Sequence, residues 1–203
     1  MTKILKNKFL LLLSCGFLAG VLFLISIRFI TFKSENIHYH ANFALYIHGK
    51  QDEFNSFTFY EEVAACASDS HNNPKNRAHM HNQNASLVHI HAHAVTWGHF
   101  LANLGYGVNN DSIKTDNGVF VAEGQNKLSF ILNGKIETSL ANRLINSQDR
   151  LLINFGNDDQ KTLMKRFEQI PADAKEFNGK FDPGGCSGGE ELTPMQRLKQ
   201  SFP

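Results

Sequence analysis

Acidic side chains are missing from one long stretch of this 203-residue chain: residues 70–110 contain no Asp or Glu. Cysteine is scarce, with three in all and no C-x-x-C, so dithiol redox chemistry has no local signature. Neither sign of charge is in excess, since Lys plus Arg is 20 and Asp plus Glu is 19. That balance gives no electrostatic reason to expect nucleic acid or acidic lipid as a partner. Histidine is absent after His99. The absences therefore point to one region, and what fills it is imidazole. Six of the ten histidines lie in "HMHNQNASLVHIHAHAVTWGHF", residues 79–100; the others are His38, His40, His48 and His71.

The N-terminus is a different material. "MTKILKNK" carries three lysines, and "FLLLLSCGFLAGVLFLISI" (9–27) then runs 19 residues without a charge. That length spans a bilayer as a helix. The flanking lysines favour a cytoplasmic N-terminus, which places the rest of the chain outside the cytoplasm. A cleaved signal peptide is the rival, but its apolar region is about 7–15 residues long and ends at an A-x-A-like site. The run here is longer and lacks that site, so the expectation is a single-pass anchor in the cell membrane. Cys15 then sits in the membrane, and Cys66 and Cys186 face an environment where disulfides persist.

The remaining length suits one medium domain with appendages. In "IHYHANFALYIH" (37–48), Ile37, Tyr39, Ala41, Phe43, Leu45 and Ile47 alternate with His38, His40 and Asn42, the pattern of a half-buried strand. "FNSFTFY" (54–60) suggests a second strand, and 61–78 a polar loop around Pro74. "LVHIHAHAV" (87–95) alternates again, with Val88, Ile90, Ala92 and Ala94 opposite His89, His91 and His93. Thr96 can cap a helix over "WGHFLANL" that ends at Gly105. Asn133-Gly134 joins "LSFIL" to "KIET" as a hairpin. "DRLLINFG" (149–156) reads as a strand, and "DDQKTLMKRFEQI" as a helix stopped by Pro171. Residues 178–190 read as a Gly-rich linker, and Pro194 can open a last short helix. The expected class is α+β: a transmembrane helix, then a mainly antiparallel β domain with short helices. The expected divisions are an anchor at 1–33, a His-rich β domain at 34–157 and a helical, Gly-rich tail at 158–203.

An H-x-H pair on a strand puts both rings on one face, roughly 6.5–7 Å apart along the chain. Such pairs occur at His38/His40, His79/His81, His89/His91 and His91/His93. One extended strand should not give His89, His91 and His93 to one ion, because the outer two stand roughly 13 Å apart. Two H-x-H units on neighbouring strands can supply three or four nitrogens, and two adjacent sites are a possible outcome. The candidate metal ligands are therefore His38, His40, His79, His81, His89, His91 and His93. His48 lies roughly 26 Å along its strand from His40 and is left out. So is His99, which falls opposite the apolar side of its helix. Without carboxylates the pattern excludes Ca²⁺, Mg²⁺ and the two-His-one-carboxylate iron site, leaving a divalent transition metal such as zinc or copper.

The motif order resembles an uncharacterised family of small membrane-anchored proteins from reduced-genome bacteria. Its members carry H-x-H, then an "HTHD"-like unit, then a strand with a further His, then "T-x-G-x-F-F". The matching residues are His38/His40, His79-Met80-His81-Asn82, His89, and Thr96-Gly98-Phe100-Leu101, and "ILNGK" and "DRLLINFG" resemble the family's second half. The resemblance covers about residues 37–157 and implies a β-grasp-like second half. Asn82 stands where the family carries an acid, and His91 and His93 are additional. Such proteins are sometimes labelled protein-disulfide isomerase, a label that the lack of C-x-x-C leaves without chemistry.

Three functions remain open on the residues alone. One is an anchored extracytoplasmic module that holds or transfers zinc or copper. Another is a zinc-dependent hydrolase or hydratase with an H-x-H plus His site, as in alpha-class carbonic anhydrases, needing an acid or base such as Asp69, Glu61 or Glu62 brought in by the fold. The third is a structural subunit of an envelope complex, braced by the metal. Whether the protein is an enzyme is left undecided, and the sequence names no protein partner.

Overall fold

A computed structural model of the protein describes residues 2–31, 37–60, 74–180 and 194–201. Cys66, Cys186, Glu61, Glu62 and Asp69 lie outside the described residues, as does most of the Gly-rich stretch. The chain forms two compact units, one of Met1–Glu35 with Gly189–Pro203, the other Asn36–Gly188.

In the first unit α1 runs Thr2–Thr31. Its Lys8–Thr31 stretch is long and apolar enough to cross a membrane. Most of its described leucines and phenylalanines are exposed.

The second unit is built on a mixed sheet. Its strands are β1 (Tyr39–Ile47), β2 (Lys50–Gln51), β3 (Ala78–His79), β4 (Leu87–Ile90), β8 (Lys127–Leu132), β9 (Lys135–Glu137) and β10 (Arg150–Gly156). The order is β3-β4-β1-β10-β8-β9, with β2 paired to β1. Only β1 and β10 run parallel, the other pairings being antiparallel. Strands β5 (Gly107–Val108), β6 (Ser112–Thr115) and β7 (Gly118–Val121) make a separate small sheet, which the sequence reading did not anticipate. Helices α2 (Trp97–Asn103), α3 (Gln160–Gln169) and α4 (Ala174–Asn178) complete the unit, and α5 (Pro194–Ser201) belongs with the first. The α+β class is as expected.

Alternation along β1 decides which side chain goes where. Ala41, Phe43 and Leu45 enter the main core with Val88 and Ile90 of β4, Leu151 and Ile153 of β10, and Trp97, Phe100 and Leu101 of α2. The opposite face carries a smaller core, in which Ala44, Ile131 and Leu152 meet Leu163, Phe167 and Ile170 on and just after α3. Among the described residues this smaller core does not reach the β3 end of that face. There the outward positions of β1 and β4 are His40 and His89, adjoined by His38 and His91.

The motif Thr96-x-Gly98-x-Phe100 has a structural explanation. Thr96 caps α2: its hydroxyl accepts from the His99 backbone N–H, and the His99 ring accepts from the Thr96 N–H. The Trp97 and Gly98 N–H groups donate to the carbonyls of Arg143 and Ala141 at 2.9 and 3.0 Å, which satisfies donors a helix start leaves over. A Cβ on Gly98 would lie 2.5 Å from the Ala141 oxygen, so only glycine lets the two backbones meet. Phe100 fills the core beside Phe43.

Three expectations are corrected. Residues 54–60 do not form a strand. Phe54 takes a left-handed φ of 46°, and Ser56 accepts from the Thr58 N–H to start a 3-10 turn at Phe57–Phe59. The local hydroxyl competes successfully with strand pairing. The strand expected over 87–95 stops at Ile90, and Ala94 at φ 54° turns the chain. The β domain does not end at 157. Helix α3 packs on the sheet through Leu163 and Phe167, and α4 lies against β1, where Asn42 bonds both Asp173 and the Ala174 N–H. Asn178 therefore ends a helix instead of beginning a linker.

Candidate metal centre

Strand β4 lies between β1 and β3, and its register aligns the histidines across all three. His89 pairs with His40 on one side and with His79 on the other. Because β-strand side chains alternate, these rings share the face opposite the main core. His38 and His81 flank their strands and add a ring at each side. Six imidazoles thus form a patch, divided into two groups. One is His38, His40 and His89; the other is His79, His81 and His91. Within each group one nitrogen per ring lies within 4.8 Å of the others. Each triad could hold a metal ion, and among the described residues no carboxylate joins either.

The orientation of two of these rings is fixed from behind. Asn178 Oδ1 accepts from the His40 backbone N–H at 2.8 Å and lies 2.8 Å from His40 Nδ1. An oxygen that accepts the backbone N–H must also accept from the ring, so Nδ1 carries the hydrogen and Nε2 the lone pair. That Nε2 stands 3.0 Å from His89 Nδ1. His79 repeats the arrangement: its Nδ1 lies 2.6 Å from the Lys75 carbonyl, so its bare Nε2 faces His81 Nε2 at 2.8 Å. A histidine whose second nitrogen donates to a carbonyl is the usual metal-ligating form. A tetrahedral ion with bonds of about 2.0–2.1 Å separates its ligand nitrogens by about 3.3 Å, close to both spacings.

Electrostatics agree with the geometry. Burial, then the neighbouring His40, His81, His79 and His91 rings, hold His89 far below its ordinary range. Burial, followed by His79 and His38, brings His91 down to about 3. Both rings are therefore neutral at neutral pH, with lone pairs available. Both ring nitrogens of His91 are buried and have no hydrogen-bond partner among the described residues, which leaves them able to serve another acceptor or donor. His40, His79, His81 and His89 are buried, whereas His38 and His91 are half-buried and stack on each other at 4.8 Å.

The other histidines lie elsewhere. His93 is exposed in the turn after β4 and belongs to neither triad. His48, at φ 48° in the turn after β1, packs edge-on against Phe155 and Phe120. His99 is the cap described above. Met80 points into the core, away from the rings. Sequence reasoning missed the orienting groups, Asn178 and the Lys75 carbonyl. Asn178 had a readable signal, because Asp173 and Gly179 bracket a short helix. Nothing in sequence joined that helix to His40, 138 positions away.

No family model, no curated protein and no solved structure matches the chain.

Proposed function

We propose that this is a membrane-anchored, extracytoplasmic metal-binding protein that holds or passes on zinc or copper through its two histidine triads. One observation carries the reading: six rings from three adjacent strands converge in two groups, two of the rings turned lone pair inward by Asn178 and the Lys75 carbonyl. All-imidazole ligation without carboxylate favours zinc or copper over the harder ions. The charge-free run 9–27 behind three lysines supports an anchor with the His-rich domain outside the cytoplasm. The likeness to the anchored His-rich family belongs to the same reading. So does a β-grasp-like second half, supported by the β8–β9 hairpin beside parallel β1 and β10. Metal analysis of full-length protein, purified without a His tag from native membranes, tests it. Zinc or copper should co-purify, with the first residues still present by mass spectrometry. Metal-free protein that takes up neither ion refutes the function, and a new N-terminus between 15 and 36 refutes the anchor.

A hydrolytic or hydrating zinc enzyme is the second reading. Three histidines leave the fourth position of a tetrahedral ion open to water, the arrangement of catalytic zinc.

A further inference from the structure

Two triads drawn from three strands leave one ring in the middle. His89 belongs to the central strand, and its Cα partners are His40 and His79. Its ring stands almost perpendicular to His40, with centroids 4.3 Å apart at 80°. It makes the same kind of contact with His81 of the other triad, at 4.6 Å and 85°. Within the second triad His79 and His81 meet at 4.3 Å and 77°, and there two nitrogens approach to 2.8 Å. Edge-to-face contact at this spacing is thus how nitrogens are brought together in this patch. His89 directs Nδ1 at His40, 3.0 Å away. The lone-pair directions of an imidazole diverge, so its Nε2 edge turns away from His40.

We propose that His89 is a ligand of both ions, with Nδ1 on the ion of His38 and His40 and Nε2 on the ion of His79, His81 and His91. The proposal rests on the metal-binding reading above and makes the six rings one coupled two-metal centre. Two ions on the two nitrogens of one imidazole, each bonded at about 2.0–2.1 Å, stand about 6 Å apart. A neutral imidazole keeps one N–H, so arrival of the second ion displaces that proton to solvent; two metal–nitrogen bonds then hold the imidazolate, and no electron moves. The sharing makes the ions unequal. The second ion acquires four nitrogens and is closed, whereas the first keeps three and an open position. That open position lies on the side of half-buried His38.

Cu²⁺ alone, added to metal-free full-length protein in detergent micelles, tests this by electron paramagnetic resonance. Two coppers per chain are expected, with a signal that integrates well below two spins at low temperature and a half-field transition. The His89→Gln chain should lose the coupling, giving full intensity for whatever copper it keeps. His81→Ala should lose the half-field transition while retaining the ion at His38, His40 and His89. If His89→Gln does not fold, the wild-type spectrum decides alone. Two coppers with full, independent spin intensity overturn the shared ligand and leave metal binding standing. One copper per chain does the same. No bound copper here, with neither zinc nor copper found in the metal analysis above, overturns both.

Discussion

Replacing Asn178 with alanine removes the oxygen that holds His40 in place. That oxygen accepts two hydrogen bonds, from the His40 backbone N–H and from Nδ1–H, each at 2.8 Å. Loss of such an orienting partner lowers metal affinity about 10- to 100-fold, which is about 1.4–2.7 kcal/mol. Folding stability should fall too. Leaving a buried donor unpaired costs about 1–3 kcal/mol, but Asn178 is only half-buried and water can refill its place, so the low end, about 1 kcal/mol, is expected. The loss should be specific to one of the two ions, because His79 is oriented separately by the Lys75 carbonyl. Zinc titration against a competing fluorescent chelator reads both affinities, and urea unfolding of the metal-free chain reads the stability. Asn178→Asp preserves an acceptor oxygen and should hold zinc at least as tightly as the parent. Unchanged affinity in Asn178→Ala, or an equal loss in Asn178→Asp, would refute the idea that Asn178 positions His40.

His48→Ala, His93→Ala and His99→Ala should each leave the metal stoichiometry unchanged by elemental analysis, since none of the three belongs to a triad. His99→Ala should still lose about 0.5 kcal/mol in thermal unfolding, the low end for one hydrogen bond, because its exposed ring accepts the Thr96 N–H at the start of α2. Gly98→Ala should cost about 1–3 kcal/mol in urea, as the new Cβ would sit 2.5 Å from a backbone oxygen; a neutral result would show that residues 141–143 yield freely. Metal-free protein should lose stability as pH falls from about 6.5 toward 3. His91 is held down to about 3 when folded and titrates near 6.5 when unfolded, so in that window the unfolded chain binds the proton first. This group makes no contribution above pH 7. Urea midpoints measured across the range check the sign, which a rise in stability on acidification would contradict.

Local signals carried far in this chain. The alternation of apolar and polar residues from Tyr39 to Ile47 is enough to place His40 opposite the core, because strand side chains change face at every step. Asn133 and Gly134, both at positive φ, make the hairpin that their sequence announces. What escaped was non-local. The division of ligands, with His89 in one triad and His91 in the other, depends on β4 lying between β1 and β3. A strand order of that kind leaves no trace in spacing. The small sheet over 107–121 escaped because its strands are two to four residues long, too short for a period to show.

One of the two shortest strands of the sheet has the most exposed duty. β3 closes the edge of β4 with only two paired residues, Ala78 and His79. Without it, Leu87–Ile90 would present a bare row of amide and carbonyl groups, which invites pairing with another chain. An ion gripped by His79 and His81 from the β3 side and by His91 from just beyond β4 would clamp that cover shut. In that case metal starvation threatens the protein's solubility before it threatens its fold, and the depleted form should be recognised first as an aggregate.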